Sequence, residues 1–391
     1  LSSVFDSRQQ CFAHSIFVKD IALMFERILK YRRDLHQIPE LDFDLPKTTA
    51  YVRSVLEKLP CEVFSPDGHA VCAWFDAGAH EAVAFRSDMD ALPICEVSGV
   101  PFSSRHQGHM HACGHDGHMA MVLELAQYVA SVKDHLKQNV LLVFQPAEET
   151  TGGAQFICQS GIFAQKNVKA IYGFHLWPDL PLGQPATRPG PLLAASCEVT
   201  VDIEGKSTHI AKSEDGADAL LAASRFVVGA EKILDDLHAA EGPWCTLKFG
   251  LLQAGTVRNA IAAHAHLEGS LRVFSESAFK MGRDRLYALG EQISKDLGVK
   301  VHVDAPEGYP PVVNDEKLFE DAKKRLPSLE MLPKPLLIAE DFAYYQRTLP
   351  GLFILLGTGT GIPLHSDRFN FDEKVLEKGV EIYKHFIDLK D

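Results

Sequence analysis

The chain has 391 residues, of which 46% are hydrophobic and 23% are charged, and its formal net charge is -13. A chain of this length is longer than most chains that fold around one hydrophobic core, which predicts two domains. Nucleic acids and anionic membrane surfaces attract clustered cations, so an acidic chain without a run of Lys or Arg is expected to bind neither. No apolar run approaches the ~20 residues that a membrane span needs.

The N-terminal region carries an amphipathic pattern. Charged residues interrupt the apolar stretch from Ser15 to Lys30, which predicts a helix over about 17–36 and not a signal peptide. Residues before about 14 are expected to be a loose leader. The eight cysteines are scattered without a Cys-x-x-Cys pair, a pattern that favours reduced thiols and a cytoplasmic location.

Strands and helices alternate in the first half of the chain. Helices are predicted over 47–59 and 116–132, and strands over 83–86, 139–145 and 169–175. This alternation predicts a parallel or mixed sheet that is covered on both faces. Binding and active sites in such sheets lie at the carboxyl ends of the strands.

The segment 192–304 has a different order of predicted elements, β-α-β-β-α-β, which is the order of a ferredoxin-like unit. Its predicted elements are strands over 195–205, 245–255, 264–275 and 299–306 and helices over 215–237 and 277–297. Because 335–345 and 352–359 resume the first pattern, this unit is predicted to be inserted. The sequence therefore predicts an α/β domain formed by 14–191 and 305–391, with an inserted α+β domain at 192–304.

The densest cluster of metal-binding residue types occupies ten residues, which include His109, His111, Cys113, His115, Asp116 and His118. Alternate residues of an extended segment project to the same side, so Cys113 and His115 can reach one metal region together. A thiolate and an imidazole suit zinc and other borderline first-row metals. Gly114 and Gly117 permit tight turns at this point.

Further donors follow apolar, strand-like runs. Glu148 and Glu149 come after the predicted strand 139–145, and His175 and His365 each follow an apolar run. Adjacent carboxylates repel each other unless a cation lies nearby. One of them can bind metal while the other accepts a proton from a water molecule whose pKa the metal lowers towards ~7. The negative charge of these groups balances two divalent ions better than one, which predicts a two-metal site.

These motifs resemble the family of hippurate hydrolases, plant auxin-conjugate amidohydrolases and N-acetyldiaminopimelate deacetylases, within the broader aminoacylase and carboxypeptidase-like metallohydrolases. The similarity covers nearly the whole chain, from residue 32 to residue 373. It includes the segments 86-RSDMDALPI-94, 110-MHACGHDGHMAM-121, 145-QPAEE-149, 173-GFHLWP-178, 204-EGKSTHIAKSEDGADA-219 and 339-AEDFAYY-345.

The resemblance implies a metal-dependent hydrolase that cuts the amide bond of N-acyl amino acids. It implies a mixed-sheet di-metal domain with a ferredoxin-like lid that also forms a homodimer contact. The implied ligands of two divalent ions (zinc, manganese, nickel or cobalt) are Cys113, His115, Glu149, His175 and His365. Glu148 is the implied general base. Asp90 is implied as the carboxylate that orients a ligand, and Asp88 is the alternative.

The resemblance extends to the lid. His209 aligns with a histidine that reaches a neighbouring active site and stabilises the oxyanion, and Asn259 and Arg272 align with positions that contact the substrate carboxylate. The chain departs from the family pattern after His209, where Ile-Ala-Lys-Ser replaces small residues and a Pro, and at Ala262, where Pro is common. These departures leave the accepted acyl group open.

Three other functions compete with this one. A dipeptidase or carboxypeptidase would use the same metal chemistry. A non-catalytic ligand-binding relative would be expected to have lost a ligand or the base, and every one of them is present in this chain. A structural zinc site takes four compactly spaced ligands, whereas these five donors are spread from 113 to 365.

Overall fold

The computed structural model describes residues 22–390. The leader expected before residue 14 and the first residues of the helix predicted over 17–36 lie outside them. The helices, in chain order, are 22–36 (α1), Pro46–Leu56 (α2), His115–Ser131 (α3), Gly153–Gln159 (α4), Ile162–Gln165 (α5), Ala219–Glu241 (α6), Glu276–Leu297 (α7), Glu316–Arg325 (α8), Ala343–Gln346 (α9) and Lys374–Lys384 (α10). Short 3-10 turns cover Lys133–His135 and Ile210–Asp215.

The strands are Glu62–Phe64 (β1), Val71–Phe75 (β2), Ala82–Asp88 (β3), Asn139–Gln145 (β4), Val168–Trp177 (β5), Pro185–Thr187 (β6), Gly190–Leu193 (β7), Ala195–Glu204 (β8), Thr246–Ala254 (β9), His264–Val273 (β10), Lys300–Asp304 (β11), Val312–Asn314 (β12), Glu330–Met331 (β13) and Gly351–Gly357 (β14). Within residues 22–390, every helix falls short of the length or the apolarity that a membrane span requires.

The chain divides into two compact units. Unit 1 comprises the chain up to Thr187, Asp315–Met331 and the chain from Tyr345 onward, and unit 2 comprises Arg188–Asn314 and Leu332–Tyr344. Unit 1 contains a large mixed sheet with the strand order β1-β2-β4-β3-β5-β14-β6-β13. Its central strands β4, β3, β5 and β14 run parallel to one another. Strand β1 pairs antiparallel with β2, β2 pairs antiparallel with β4, and β6 pairs antiparallel with β14 but parallel with β13. The protein therefore has the mixed α/β fold that the alternating sequence pattern predicts.

The central strands of unit 1 are buried on both faces. Every residue of β3, β4 and β14 is buried, as expected for parallel strands that are covered by helices on both sides. The helix α3 is almost as enclosed, because 13 of its 17 residues are buried. These include the polar residues His115, Asp116, His118 and Glu124, which must find partners inside the protein because burying an unpaired polar group is costly.

Unit 2 contains a four-stranded antiparallel sheet with the strand order β11-β8-β10-β9. Its elements follow one another as β8-α6-β9-β10-α7-β11. Alternate residues of β8 are buried, so one face of the sheet packs against the helices. The side chain of Asp218 caps α6, and the side chain of Ser275 caps α7.

The segment 332–344 also belongs to unit 2, which differs from the expectation that 335–345 resumes the pattern of the first domain. The backbone explains the difference. The N–H group of Leu336 donates to the carbonyl of Leu192, and the N–H group of Ala194 donates to the carbonyl of Ile338, each at 2.9 Å. The expected inserted segment 192–304 lies within unit 2.

A buried ionic network joins α1 to the start of α3 within unit 1. The carboxylate of Asp116 accepts hydrogen bonds from His36 Nδ1 at 2.9 Å and from Arg32 Nε at 3.2 Å. On its other side, His36 Nε2 lies 3.2 Å from a carboxylate oxygen of Glu96. Arg32, His36 and Asp116 are each at most 2% exposed, so the charges stabilise one another with little screening by water.

This network makes stability depend on pH. Burial by itself would lower the pKa of His36, but Asp116 and Glu96 outweigh burial and raise the pKa to about 9. In the unfolded chain the pKa of a histidine is about 6.5. The bound proton therefore stabilises the fold fully below about pH 6.5, and its contribution is lost as the pH rises through about 9.

We expect the free energy of unfolding to fall by roughly 3 kcal/mol between about pH 6.5 and pH 10 through this residue. Urea denaturation of the wild type and of His36→Gln across this range measures the effect. Because the variant lacks the titrating group, the stability difference between the two proteins should narrow as the pH rises. A difference that stays constant with pH would contradict the assignment.

Candidate metal centre

The strand ends of unit 1 bring the predicted donors together. The parallel strands β3, β4 and β5 end in one direction, and their carboxyl ends carry Asp88, the turn that follows Gln145, and His175. The segment before α3 lies beside them, since Met110 forms a bridge with Leu92 just after β3.

Glycines set the path of this segment. Gly114 has φ +88, a left-handed conformation that favours glycine, and a Cβ atom there would lie 3.1 Å from Leu176 Cδ1. Gly117, in the first turn of α3, also lacks space, because a Cβ atom would lie 2.9 Å from Phe371 Cζ. The chain can therefore turn sharply after Cys113 and start α3 with His115 close against β5.

One group of donors consists of Cys113, His115 and His175. All three are buried, and one ligand atom of each lies within 4.8 Å of the others. Cys113 Sγ lies 3.3 Å from His175 Nε2. Both rings have a defined orientation, because His115 Nδ1 donates to the carbonyl of Asp90 at 2.8 Å and His175 Nδ1 donates to the carbonyl of Leu176 at 2.7 Å. The Nε2 atoms thus keep their lone pairs for a metal ion.

A second group shares Cys113 and adds Glu149 and His365. His365 Nε2 lies 3.4 Å from Glu149 Oε2, and His115 Nε2 lies 3.8 Å from Glu149 Oε1. His365 has φ +63, and its N–H group donates to the carbonyl of Ala112 at 2.9 Å. This backbone bond ties the C-terminal donor directly to the segment that carries Cys113.

Glu148 lies on the inner side of this cluster. It is 6% exposed, and its Oε2 atom is 3.9 Å from His115 Nε2. The backbone N–H groups of Glu148 and Glu149 donate to the two carboxylate oxygens of Asp90 at 2.9 and 3.0 Å. Asp90 thus holds the turn that carries both glutamates and, through its carbonyl, the ring of His115.

The electrostatics of the cluster fit divalent cations. Among the described residues, His115 Nε2 and Glu149 Oε1 are buried atoms with no hydrogen-bond partner. Burial raises the pKa of the Cys113 thiol well above its usual range, and the charges of Glu149 and Glu148 raise it further. A cation at this position would satisfy both orphaned atoms and stabilise the thiolate, so the donor set fits divalent metal ions.

Asp88, the alternative to Asp90, has partners of its own. Its carboxylate accepts hydrogen bonds from Arg86 Nη1 and His118 Nδ1, both at 2.7 Å. Asp88 Oδ2 also lies 3.6 Å from His115 Nε2. Arg86, His115 and His118 together keep the pKa of Asp88 well below its usual range, although burial acts in the opposite direction.

The sequence analysis gave no role to His118. Its Nδ1 atom donates to Asp88, and its Nε2 atom accepts the N–H group of Leu176 at 3.0 Å. Both ring nitrogens are therefore occupied, so proximity to Asp88 and His115 does not make His118 a ligand. It instead links Asp88 to the residue that follows His175. The three-residue spacing from His115 was the available signal, because it puts both rings on one face of α3.

The three residues expected to act from the lid belong to unit 2. His209 and Asn259 lie close together, because Ile210 donates its N–H group to the carbonyl of Asn259 at 3.0 Å and His209 forms a bridge with Ala260. Strand β10 begins at His264, soon after Asn259 in the chain, and Arg272 lies near its opposite end. Eight residues of extended strand separate His264 from Arg272, a distance of about 26 Å. It forms an ion pair with Glu198 at 2.8 Å.

A cluster of thiol, imidazole and carboxylate donors at the carboxyl edge of a mixed α/β sheet is the arrangement of a metal-dependent hydrolase. Sequence comparison identifies the family. The chain belongs to the peptidase family M20/M25/M40, whose sequence profile matches residues 84–389. It is accordingly an enzyme that hydrolyses amide bonds.

Curated relatives and solved structures agree with this membership. The N-acetyldiaminopimelate deacetylase of Streptococcus uberis is 36% identical to the chain, over 92% of this chain and 98% of the relative. The deacetylase of the same name from Lacticaseibacillus paracasei is 35% identical over 92% of this chain and 97% of the relative.

Two bacterial structures are similar over almost the full length. A proposed aminohydrolase from methicillin-resistant Staphylococcus aureus has a TM-score of 0.85 and 28% identity, covering 94% of this chain and 97% of that one. The Bacillus subtilis YXEP protein, a dinuclear metal-binding peptidase of the M20 family, has a TM-score of 0.79 and 30% identity, covering 93% of this chain and 97% of that one.

The geometry around Asp90 predicts the effect of Asp90→Asn. An asparagine offers one oxygen acceptor, so the N–H group of either Glu148 or Glu149 would face an amide NH2 group instead. Burial also raises the pKa of Asp90 to about 7 in the metal-free protein. The wild type therefore loses stability as the pH rises from about 4 through about 7 and the carboxyl group ionises, whereas Asp90→Asn lacks this titration. We expect the free energy of unfolding of the wild type relative to Asp90→Asn to fall across this range, and urea titrations of both metal-free proteins at about pH 5 and about pH 8 measure the change.

Asp179→Asn provides the matched control, because Asp179 is an exposed residue just after β5. Its substitution should change stability by less than about 0.5 kcal/mol. A stability difference between the wild type and Asp90→Asn that is the same at both pH values, as expected for Asp179→Asn, would show that the carboxyl group of Asp90 does not titrate in its buried position beside the glutamate turn.

Proposed function

We propose that the chain hydrolyses the amide bond of N-acyl amino acids with two divalent metal ions. The proposed ligands are Cys113, His115, Glu149, His175 and His365. The observation that carries the proposal is the convergence of these five donors, with Glu148 beside His115 and Glu149, although they come from positions 113 to 365 of the chain. The dinuclear site of the similar Bacillus subtilis protein supports two ions rather than one.

When bound, the ions would lower the pKa of a water molecule and polarise the substrate carbonyl. Glu148 is proposed to accept the water proton at Oε2 and to pass it to the departing amine. The hydrogen bond from its N–H group to Asp90 holds its backbone in place for this transfer. Zinc, nickel, cobalt and manganese are all compatible with a donor set of thiol, imidazole and carboxylate groups.

Unit 2 is proposed to be a ferredoxin-like lid that also forms a homodimer contact. Its β-α-β-β-α-β element order and its antiparallel strand order support the ferredoxin-like part of this proposal. His209 is proposed to stabilise the oxyanion of the reaction, and Asn259 and Arg272 to contact the substrate carboxylate. The adjacent placement of His209 and Asn259 is consistent with a shared task, whereas the ion pair with Glu198 gives Arg272 a competing partner.

The substrate is proposed to be an N-acyl amino acid with a free carboxylate. The relatives named N-acetyldiaminopimelate deacetylase support an acetyl group, and hippurate-type acyl groups are the alternative. A dipeptidase would share the metal chemistry. Turnover of N-acetyldiaminopimelate, other N-acetyl amino acids, hippurate and dipeptides by one zinc-loaded preparation ranks these substrates. A preference for dipeptides would contradict the proposed substrate class.

The role of Glu148 predicts the behaviour of Glu148→Gln. The amide cannot accept the water proton, so kcat should fall by about 1,000-fold or more. The metal content should stay that of the wild type, because Glu148 is not a proposed ligand. Steady-state kinetics and elemental analysis of the same sample test both statements. Glu320→Gln, an exposed change on α8, should leave both values unchanged. Wild-type kcat in Glu148→Gln would refute the base.

A further inference from the structure

We infer that Arg32 and His36 of α1, acting through Asp116, are positioning residues of the metal centre. They lie outside the donor cluster but connect the two chain segments that carry His115 and His365. The inference rests on the proposed metal site. It gives a role to the buried charges of Arg32, His36 and Asp116, which take no part in the proposed reaction.

The first connection runs to His115. Asp116 follows His115 directly in the first turn of α3 and is completely buried. Its Oδ2 atom is held from two directions, by His36 Nδ1 at 2.9 Å and by Arg32 Nε at 3.2 Å. A carboxylate fixed in this way restricts the rotation of the first turn, and with it the backbone that orients the ring of His115.

The second connection runs from Arg32 to the chain after His365. The guanidinium group donates from Nη2 to Asn370 Oδ1 at 2.7 Å, and its Nη1 atom lies 3.3 Å from Glu373 Oε1. Its Cζ atom also lies 3.7 Å from the centre of the Phe371 ring. The planar guanidinium group of Arg32 thus contacts both donor segments. Its Nε atom contacts Asp116, and its terminal nitrogens contact the segment that follows His365.

His36 is connected to the segment around His365 through its second ring nitrogen. The Nε2 atom lies 3.2 Å from Glu96, whose second carboxylate oxygen accepts the N–H group of Ser104 at 2.6 Å. The next residue, Val97, donates its N–H group to the carbonyl of Asp367 at 2.8 Å. Asp367 is two residues from His365, so Arg32 and His36 are both connected to the same two donor segments.

The network can position the donors as well as stabilise the fold. Each of its charges loses hydration on burial, so its partners must hold it in a defined geometry to offset that cost. A network that links a donor near position 115 to one at 365 does restrict their separation, and metal affinity depends strongly on such restriction. Four charged groups, Arg32, His36, Asp116 and Glu96, converge here and form ion pairs with one another.

The same two helices offer a matched comparison. Arg27 of α1 pairs with Glu124 of α3, with Nε at 3.0 Å from Oε2. Glu124 lies eight residues beyond Asp116, about 12 Å farther along α3. This pair joins α1 to α3 with the same chemistry but stands away from the donor segments, and the side chain of Arg27 is 36% exposed.

The experiment measures Zn²⁺ binding to metal-depleted full-length protein by competition with a chromophoric chelator. Arg32→Lys keeps the positive charge but loses the fork that spans both segments, and Asp116→Asn removes the carboxylate charge. Each should weaken Zn²⁺ binding by about 10- to 100-fold. Arg27→Lys and Glu124→Gln should bind Zn²⁺ as the wild type does. Circular dichroism confirms that each variant is folded, and Arg32→Lys is the milder change if Asp116→Asn does not fold.

Wild-type Zn²⁺ affinity in folded Arg32→Lys would overturn the inference while leaving the metal centre intact. Equal weakening by Arg27→Lys and Arg32→Lys would also overturn it, since helix packing alone would then set the affinity. Absence of stoichiometric Zn²⁺ uptake by the wild type would instead contradict the proposed function, so the two failures are distinguishable.

Discussion

The structure depends on one electrostatic constraint, which is the confinement of several anionic groups in a buried space at the carboxyl ends of β3, β4 and β5. Asp88, Asp90, Cys113 and the pair Glu148 and Glu149 all lie there. Asp88 has a guanidinium and an imidazole beside it, and Asp90 accepts two backbone N–H groups. The thiol is different, because burial and the glutamates raise its pKa. Divalent cations reverse that balance by favouring the thiolate over the thiol.

The rest of unit 1 keeps these groups at fixed positions. The buried parallel strands supply rigid ends, and the left-handed Gly114 lets α3 begin beside them. The backbone bond from His365 to Ala112 brings the C-terminal donor to the others. The helix α1 contributes no donor, but its Arg32 and His36 form ionic contacts with Asp116. The donors are thus brought together by backbone geometry, and the buried ion pairs with α1 add a second constraint.

Much of this arrangement follows from local sequence. The apolar run 139–145 coincides with β4, and the Glu148-Glu149 pair follows it as predicted. The two-residue spacing of Cys113 and His115 put both donors in one place. The network of Arg32 and Asp116 was not predictable, because the partners are 84 residues apart and each looks like an ordinary charge on an amphipathic helix. The grouping of 332–344 with unit 2 depends on two long-range backbone bonds, which no local pattern encodes.

The most direct test of the account is the metal content of the purified chain after saturation with Zn²⁺ and removal of unbound ions. The account predicts about two ions per wild-type chain, and a loss of both bound metal and turnover in Cys113→Ser, since the thiol belongs to both donor groups. A wild-type chain that retains no stoichiometric metal would contradict it. So would a Cys113→Ser variant that keeps the metal content and turnover of the wild type.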